Sequence, residues 1–315
     1  MPTHILITRN ALDSDLDRIH SISDSLAVEK APTISDALAR AADAEIILAG
    51  RWSDDLWKAA PNMCWVQSSG AGVERFLTPE FIASPVILTN AAGIYAIPIA
   101  DHVIAFVLAF SRGLPRCLRN QLDRKWEWRG GDELADKTLG IIGLGGIGAE
   151  VARRANAFDM RVIAIRRRPD RPSPFADEVR GPDSLPWLLA ESDYIALCAA
   201  LTPKTRHLIG EAELNLMKST AYLINIGRGR LIDEPALISA LQAGRLAGAG
   251  LDVFAEEPLP SDSPLWEMPN VIITPHSSGS SPRSHDRLMD LFCQNLRRYL
   301  AGQELLNVVD KGEGY

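Results

Sequence analysis

Arg228, Glu257 and His276 each come a few residues after a short apolar segment in the second half of the 315-residue chain. Such segments are typical of strands in a parallel sheet, and open α/β sheets bind ligands at the carboxyl ends of their strands. An imidazole titrates near neutral pH and can protonate a developing alkoxide, while a carboxylate beside it orients the ring. A guanidinium can clamp a carboxylate and polarise a carbonyl. Singly, each residue also fits an ordinary loop; together they predict hydride reduction of a 2-oxo acid, with His276 as proton donor.

A glycine-rich motif indicates where the hydride carrier would bind. It lies between an apolar run and a helical pattern, and it has the form GxGxxG: Gly143, Leu144, Gly145, Gly146, Ile147 and Gly148. In a dinucleotide-binding turn the first glycine forms the turn, the second lets the pyrophosphate approach the backbone, and the third lets helix and strand pack closely. The N-terminus of the next helix attracts the pyrophosphate. The alternative is a glycine-rich turn without a ligand.

Arg166, Arg167 and Arg168 follow the next apolar run, at the place where an NAD-binding site usually carries an acidic residue for the ribose 2′-hydroxyl. No carboxylate appears before Asp170. Guanidinium groups bind a phosphate bidentately, whereas a carboxylate would repel it. The triplet therefore predicts NADP as the favoured cofactor, with NAD still possible. The alternative is a solvated run of surface charge.

The elements that must position these residues are predicted by apolar runs that alternate with helical patterns, which indicates parallel sheets. The first series of runs is 4–8, 45–50, 64–69 and 86–90. The second series is 138–145, 161–165, 194–201, 221–227, 247–254 and 271–275. Helical patterns include 35–43, a long apolar segment at 97–114 that predicts a mostly buried helix, and a last helix over 283–301.

Composition narrows the class of protein. The formal net charge of −7 argues against a nucleic-acid partner, because binding the phosphate backbone needs a basic face. The chain has no run of about 20 apolar residues and no signal peptide, which predicts a cytoplasmic protein without a membrane partner. The four cysteines form no CxxC pair and predict no metal site; we expect them to be small buried residues: Cys64, Cys117, Cys198 and Cys293.

In these motifs the chain resembles the D-isomer-specific 2-hydroxyacid dehydrogenases over nearly its whole length, and among them the NADP-dependent glyoxylate/hydroxypyruvate reductases most. Beyond GLGGIG, the strings that carry the resemblance are LTPKTRHLI (201–209), INIGRG (224–229), LDVFAEEPLP (251–260) and TPH (274–276). It implies D-2-hydroxy acids as products. The catalytic trio that it implies is Arg228, Glu257 and His276.

The resemblance also implies two binding sites. The substrate site comprises Gly70, Ala71 and Gly72, whose backbone would hold the carboxylate, together with Arg51, Tyr95 and Arg228. The cofactor site comprises, besides the GxGxxG loop and the arginines, Ala200, Thr205, Ile226, Gly227, His276 and Asp252, the last against the nicotinamide carboxamide.

The family architecture implies two doubly wound parallel-sheet α/β domains with the active site in the cleft between them. Residues 1–97 and 284–315 would form a flavodoxin-like substrate domain, and residues 98–283 an inserted Rossmann domain that binds the dinucleotide.

The family further implies a homodimer, formed through the 97–114 helix and the arm after it, which carries Trp126 and Trp128. Where the family usually has Glu before His in this helix, the chain has Asp101-His102, which we interpret as structural.

The resemblance leaves three functions open. The Arg triplet favours an NADPH-dependent reductase of small 2-oxo acids, glyoxylate and hydroxypyruvate first. The alternatives are an interaction protein like the NAD(P)-binding corepressors, which keep much of the trio, and a phosphite-type dehydrogenase, which uses the same trio.

Overall fold

The computed structural model describes residues 2–314, which form two compact units. The first unit contains the residues up to Tyr95 and those from Ser281 onward, and the second is Ala96–Ser280. Each unit has its own parallel sheet with helices between the strands. The predicted fold class of two parallel-sheet α/β domains is confirmed.

The first unit is built on a five-stranded sheet of order β2-β1-β3-β4-β5, the flavodoxin-like order. Its strands are β1 (Thr3–Ile7), β2 (Leu26–Lys30), β3 (Ile46–Ala49), β4 (Trp65–Ser68) and β5 (Ile87–Thr89). Its first four helices are α1 (Asp13–His20), α2 (Ile34–Arg40), α3 (Asp54–Ala59) and α4 (Pro79–Ala83). The middle strands β3 and β4 are buried along their whole length, because helices cover both faces of the sheet.

The second unit is built on a seven-stranded sheet of order β12-β11-β10-β9-β6-β7-β8. Its strands are β6 (Thr138–Ile142), β7 (Arg161–Ile165), β8 (Glu178–Arg180), β9 (Tyr194–Leu197), β10 (Tyr222–Asn225), β11 (Gly248–Leu251) and β12 (Val271–Ile273). Its helices are α5 (Ala96–Ser111), α6 (Leu114–Leu122), α7 (Gly146–Asn156), α8 (Leu185–Glu191), α9 (Glu211–Leu216) and α10 (Glu234–Gln242). In their spatial order across the sheet, the six strands β8, β7, β6, β9, β10 and β11 have the Rossmann order. Strand β12 adds one strand at the edge.

The last helix, α11 (Pro282–Leu300), completes the first unit. The Ser281 hydroxyl caps it by accepting a hydrogen bond from the Ser284 N–H. Its buried face carries Phe292, whose ring stacks on Trp65 of β4 at 5.4 Å between centroids. The core of this unit therefore joins residues from both ends of the sequence.

The long apolar segment forms α5, which buries about half of its residues, as predicted. Among the described residues no single helix is long and apolar enough to cross a membrane, and α5 and α6 pass that test only as a pair with a 69° bend between them.

Three details of the sequence-based prediction were wrong. Strands β2 and β8 were not predicted, because each lies at a sheet edge and mixes charged with apolar residues. The strands predicted over 194–201, 221–227 and 247–254 end earlier than predicted, at Leu197, Asn225 and Leu251. Their last residues instead form the loops that carry the polar groups.

The third detail concerns the cysteines. Of the four, Cys293 is buried as predicted and Cys198 is partly buried, but Cys64 and Cys117 are exposed. Cys64 precedes the buried Trp65 at a strand start, and Cys117 lies on α6, a helix without buried residues. Exposure there follows from the position of the backbone rather than from the residue type.

Candidate active site

The GxGxxG motif forms the turn between β6 and α7. Gly143 has a φ of +100°, and a Cβ on it would lie 2.6 Å from the Ala199 nitrogen. A Cβ on Gly148 would lie 2.5 Å from the Gly143 oxygen, so only glycine lets α7 pack this closely on the turn. Around Gly145, by contrast, no described residue other than Gly145 and its two chain neighbours has an atom within 4 Å of the Cβ position. The turn thus has two tightly packed glycines, Gly143 and Gly148, and open space at Gly145, where a dinucleotide pyrophosphate can approach the backbone.

The start of α7 fits an anion as well. Gly145 occupies the N-cap position and has no side chain to cap the first N–H groups of the helix. Those N–H groups and the positive end of the helix dipole point out of the turn. The residues present therefore fit the pyrophosphate of a dinucleotide.

Arg166 follows β7 directly, and its backbone N–H bonds to the Arg180 oxygen of β8. The Nε and Nη2 atoms of Arg166 are buried, and neither has a hydrogen-bond partner among the described residues. Buried guanidinium N–H groups without acceptors are costly, so this position calls for an anionic ligand. Arg167 and Arg168 are exposed.

Two other predicted cofactor residues lie in the loop after β9, next to the Gly143 turn. The Thr205 hydroxyl donates to the Ala200 oxygen at 2.7 Å and accepts from the Thr202 N–H at 2.7 Å. These bonds fix the turn from 200 to 205, in which Ala200 itself is exposed.

Arg228 follows β10 in a loop held by Asn225. The Asn225 amide bonds the Gly227 N–H and the Arg228 oxygen at 3.1 and 3.0 Å, and Ile226 between them is buried. A Cβ on Gly229 would lie 1.8 Å from the carbonyl carbon of Phe254, in the loop after β11. Gly229 therefore allows the Arg228 loop to lie directly against the neighbouring loop.

Glu257 ends that neighbouring loop and contacts His276. One carboxylate oxygen of Glu257 accepts from the Phe254 N–H at 3.0 Å, and the other lies 2.7 Å from Nδ1 of His276. The His276 side chain is 49 % exposed, which leaves the ring accessible. No described residue bonds to its Nε2. The structure thus brings Arg228, Glu257 and His276 to the carboxyl ends of three adjacent strands.

Asp252 lies beside His276, but its carboxylate is fully buried. It accepts hydrogen bonds from the Thr274 hydroxyl at 2.6 Å and from the N–H groups of Ser277 and Ser278 at 2.9 and 3.0 Å. The Asp252 backbone oxygen accepts from the His276 N–H at 2.8 Å. In this structure the carboxylate holds the histidine loop, and its predicted contact with a nicotinamide stays a prediction.

A histidine that the sequence analysis interpreted as structural also lies at this site. His102 of α5 places its Nε2 atom 3.0 Å from the Thr274 hydroxyl and 4.0 Å from the Asp252 carboxylate. Burial lowers the pKa of His102, and the Asp252 charge partly opposes this shift. The neighbouring Asp101 points elsewhere and pairs with Arg154 of α7 at 2.6 Å.

The predicted substrate loop, Gly70-Ala71-Gly72, follows β4 in the first unit. The Gly70 N–H bonds to the Ser68 hydroxyl, and the Asn90 side chain donates to the Ala71 oxygen at 3.0 Å. The N–H groups of Ala71 and Gly72 donate to no other described residue. This loop can therefore offer two adjacent donors to an anion.

Tyr95 and Arg51 lie near the carboxyl ends of strands in the same unit. The Tyr95 hydroxyl donates to the Ser69 oxygen at 2.5 Å, directly before the substrate loop. Arg51 follows β3, is exposed, and its Nε donates to the Pro32 oxygen at 2.5 Å. Tyr95 thus borders the loop, while this bond ties Arg51 to the segment after β2. Among the described residues no His, Cys, Asp and Glu cluster could hold a metal ion.

Comparison with known proteins identifies the family. Residues 104–278 match the D-isomer specific 2-hydroxyacid dehydrogenase, NAD binding domain. The chain is 33 % identical to a glyoxylate reductase of Korarchaeum cryptofilum, over 99 % of this chain and 97 % of that protein.

Two solved structures are similar over almost their full length. A D-isomer specific 2-hydroxyacid dehydrogenase family protein from Aeromonas salmonicida has a TM-score of 0.89 and 32 % identity, covering 99 % of this chain and 100 % of that one. An NADPH-dependent glyoxylate/hydroxypyruvate reductase from Sinorhizobium meliloti, in complex with NADP and sulfate, has a TM-score of 0.88 and 26 % identity, with the same coverage. The resemblance drawn from the motifs is confirmed: the chain belongs to the D-isomer specific 2-hydroxyacid dehydrogenase family, a family of NAD(P)-dependent oxidoreductases.

Proposed function

We propose that this protein reduces small 2-oxo acids, glyoxylate and hydroxypyruvate first, to D-2-hydroxy acids with NADPH. The observation that carries the proposal is the pairing of His276 with Glu257. With Nδ1 held at 2.7 Å from a carboxylate oxygen, Nε2 is the ring nitrogen left to face a substrate. The Korarchaeum and Sinorhizobium relatives, both named as glyoxylate reductases, support this choice of acids.

NADPH, when bound, would supply the hydride, and the residues of this chain would handle the charge and the proton. Arg228 would hold the substrate carboxylate and polarise the carbonyl through its fork of N–H groups. His276 would give the Nε2 proton to the developing alkoxide, while Glu257 stabilises the imidazolium from Nδ1. The Ala71 and Gly72 N–H groups would add two donors to the substrate carboxylate, with Tyr95 fixing their loop.

Preference for NADPH rests on Arg166. Its buried Nε and Nη2 atoms have no acceptor among the described residues, and a ribose 2′-phosphate would provide one. The relative from Sinorhizobium, which holds NADP, supports the assignment. Arg167 and Arg168 would add positive charge around the same phosphate.

We also propose a homodimer formed through α6 and the arm that follows it. None of the residues in α6 is buried, and its apolar side chains Leu118 and Leu122 are 62 % and 85 % exposed. In the arm, Trp126 and Trp128 are almost fully exposed. Exposed apolar residues concentrated in one segment are typical of an interface.

The test of the function is the initial rate of NADPH oxidation, and separately of NADH oxidation, with glyoxylate, hydroxypyruvate, pyruvate and phenylpyruvate. We expect the highest kcat/KM for one of the two small acids with NADPH, and chiral analysis should give the D product. Tight binding of either nucleotide without turnover of any acid would contradict the proposal and favour an interaction protein.

A further inference from the structure

A chain of hydrogen bonds runs from α5 to the loop that carries His276. Nε2 of His102 lies 3.0 Å from the Thr274 hydroxyl oxygen, which lies 2.6 Å from the Oδ1 atom of Asp252. An ionised carboxylate only accepts hydrogen bonds, so the Thr274 hydroxyl donates to Asp252. Its oxygen must then accept from His102, which carries a proton on Nε2. The neutral ring makes this bond in its Nε2–H tautomer.

Asp252, at the end of this series of hydrogen bonds, binds the His276 loop on both sides of the histidine. Before His276, Asp252 accepts from the Thr274 hydroxyl; after it, Asp252 accepts from the Ser277 and Ser278 N–H groups. His276 itself has a φ of +50°, a left-handed conformation that a residue with a Cβ rarely adopts without support. The Asp252 carboxylate supplies that support from a site without solvent exposure.

His102, at the start of this series of hydrogen bonds, is fixed as well. The His102 ring meets the Phe106 ring edge-on at 4.7 Å, one turn further along α5. Phe106 in turn packs on β11, where a Cβ on Gly250 would lie 2.8 Å from its Cγ atom. Asp252 follows β11 directly. The packing of α5 on β11 therefore holds His102 close to Asp252, and Thr274 bridges the two residues.

We propose that His102 and Thr274 are positioning residues for proton transfer: through Asp252 they hold the His276 ring in the orientation that pairs Nδ1 with Glu257. Neither residue touches a reacting atom. The inference rests on the proposed function of His276, because orientation of the ring matters only if the ring transfers a proton. Residues behind a functional side chain hold it in the productive geometry through their packing and hydrogen bonds.

Thr274→Val is the decisive variant, since it keeps the shape of the side chain and removes the hydroxyl that both accepts and donates. Thr274→Ser restores the hydroxyl and should restore activity. His102→Leu removes the donor at the start of the chain. Asp101→Asn is the matched control on the same helix, because Asp101 faces Arg154 and not the loop.

The first readout is steady-state kinetics with NADPH and the best 2-oxo acid. Thr274→Val and His102→Leu should lower kcat by about 10- to 100-fold, by analogy with residues that orient the histidine ligands of metal sites. KM for the acid and Kd for NADPH should stay near those of the wild type, as should the kcat of Thr274→Ser and Asp101→Asn. A Thr274→Val enzyme with the kcat of the wild type would overturn the proposal.

The second readout does not depend on turnover. In protein labelled with ¹⁵N-histidine, the imidazole signals of His276 are identified by their loss in His276→Gln. We expect these signals to move in Thr274→Val and in His102→Leu, and to stay in place in Asp101→Asn. Signals that stay in place in both variants would refute the positioning role. An inactive wild type with moving signals would instead contradict the proposed function alone.

Discussion

Gly229 packs directly against Phe254: a Cβ on Gly229 would come within 1.8 Å of the Phe254 carbonyl carbon and 1.9 Å of its oxygen. This contact joins the loop of Arg228 to the loop of Glu257, because Glu257 accepts the Phe254 N–H. The loops that carry the two functional side chains are therefore in direct backbone contact, with no room for even a methyl group between the loops.

Gly229→Ala should therefore damage both stability and activity. Overpacking at a rigid backbone contact costs about 1–3 kcal/mol of unfolding free energy, which urea denaturation would measure. Since the Arg228 loop must move, kcat/KM should fall as well. The control is Gly181→Ala, where the Cβ position is open and φ is not positive. Equal stability of the two variants would show that the loops can separate without cost.

His276→Ala should lower kcat by about 10²–10⁴-fold, because removal of a general acid has costs in that range. Glu257→Gln should lower kcat less, since the ring stays but loses the charge at Nδ1. His20→Ala, on the exposed end of α1, is the control. Turnover of His276→Ala near that of the control would remove His276 from the mechanism.

Arg166→Gln should separate the two cofactors. Loss of charge-assisted hydrogen bonds worth about 1.5–3 kcal/mol should raise KM for NADPH by roughly 10-fold or more and leave KM for NADH almost unchanged. The exposed Arg168, changed in the same way, should have a smaller effect on NADPH. If KM rises equally for both nucleotides in Arg166→Gln, the 2′-phosphate assignment is wrong.

Leu122→Glu should break the proposed dimer. A charge at a side chain that is 85 % exposed in the single chain costs little in the monomer, but it would be buried at an interface. Light scattering after gel filtration should show the mass of a dimer for the wild type and of a monomer for the variant. Leu12→Glu, at an exposed leucine outside this segment, should remain dimeric. A monomeric wild type would contradict the proposal.

His102 should make the fold less stable in mild acid. Because burial lowers its pKa, the unfolded chain binds more protons than the folded chain as pH falls below the unfolded value of about 6.5. The stability that the neutral His102 ring contributes to the fold is fully present above that pH, and it is lost as pH falls toward the lowered pKa. In His102→Gln, the free energy of unfolding should therefore change less between neutral pH and mild acid than in the wild type. Identical pH profiles from urea denaturation would show that His102 titrates normally.

The parts of the site that lie next to each other in the sequence could be predicted from it. The turn from β6 to α7 is local, so its glycines indicate both the conformation and the open space at Gly145. Arg166 follows directly from the same strand–helix–strand unit. The trio was predicted from its position after three apolar runs, although the contacts among its members are not visible in the sequence.

Contacts between distant segments could not be predicted in this way. His102 and Thr274 are 172 residues apart, and nothing in either neighbourhood indicates that α5 packs behind the histidine loop. The burial of Asp252 has the same origin, since the Ser277 and Ser278 N–H groups reach it only after the chain has returned from β12. Tertiary packing decides these contacts, and it leaves no periodic signal.

The guanidinium of Arg166 has a consequence for the stability of the protein. Its Nε and Nη2 atoms are buried and have no acceptor among the described residues. Any anion that supplies those acceptors binds the folded chain and not the unfolded one, so mass action raises the free energy of unfolding as its concentration rises. A dinucleotide with a 2′-phosphate would then raise the free energy of unfolding more than one without it, whether or not it is turned over.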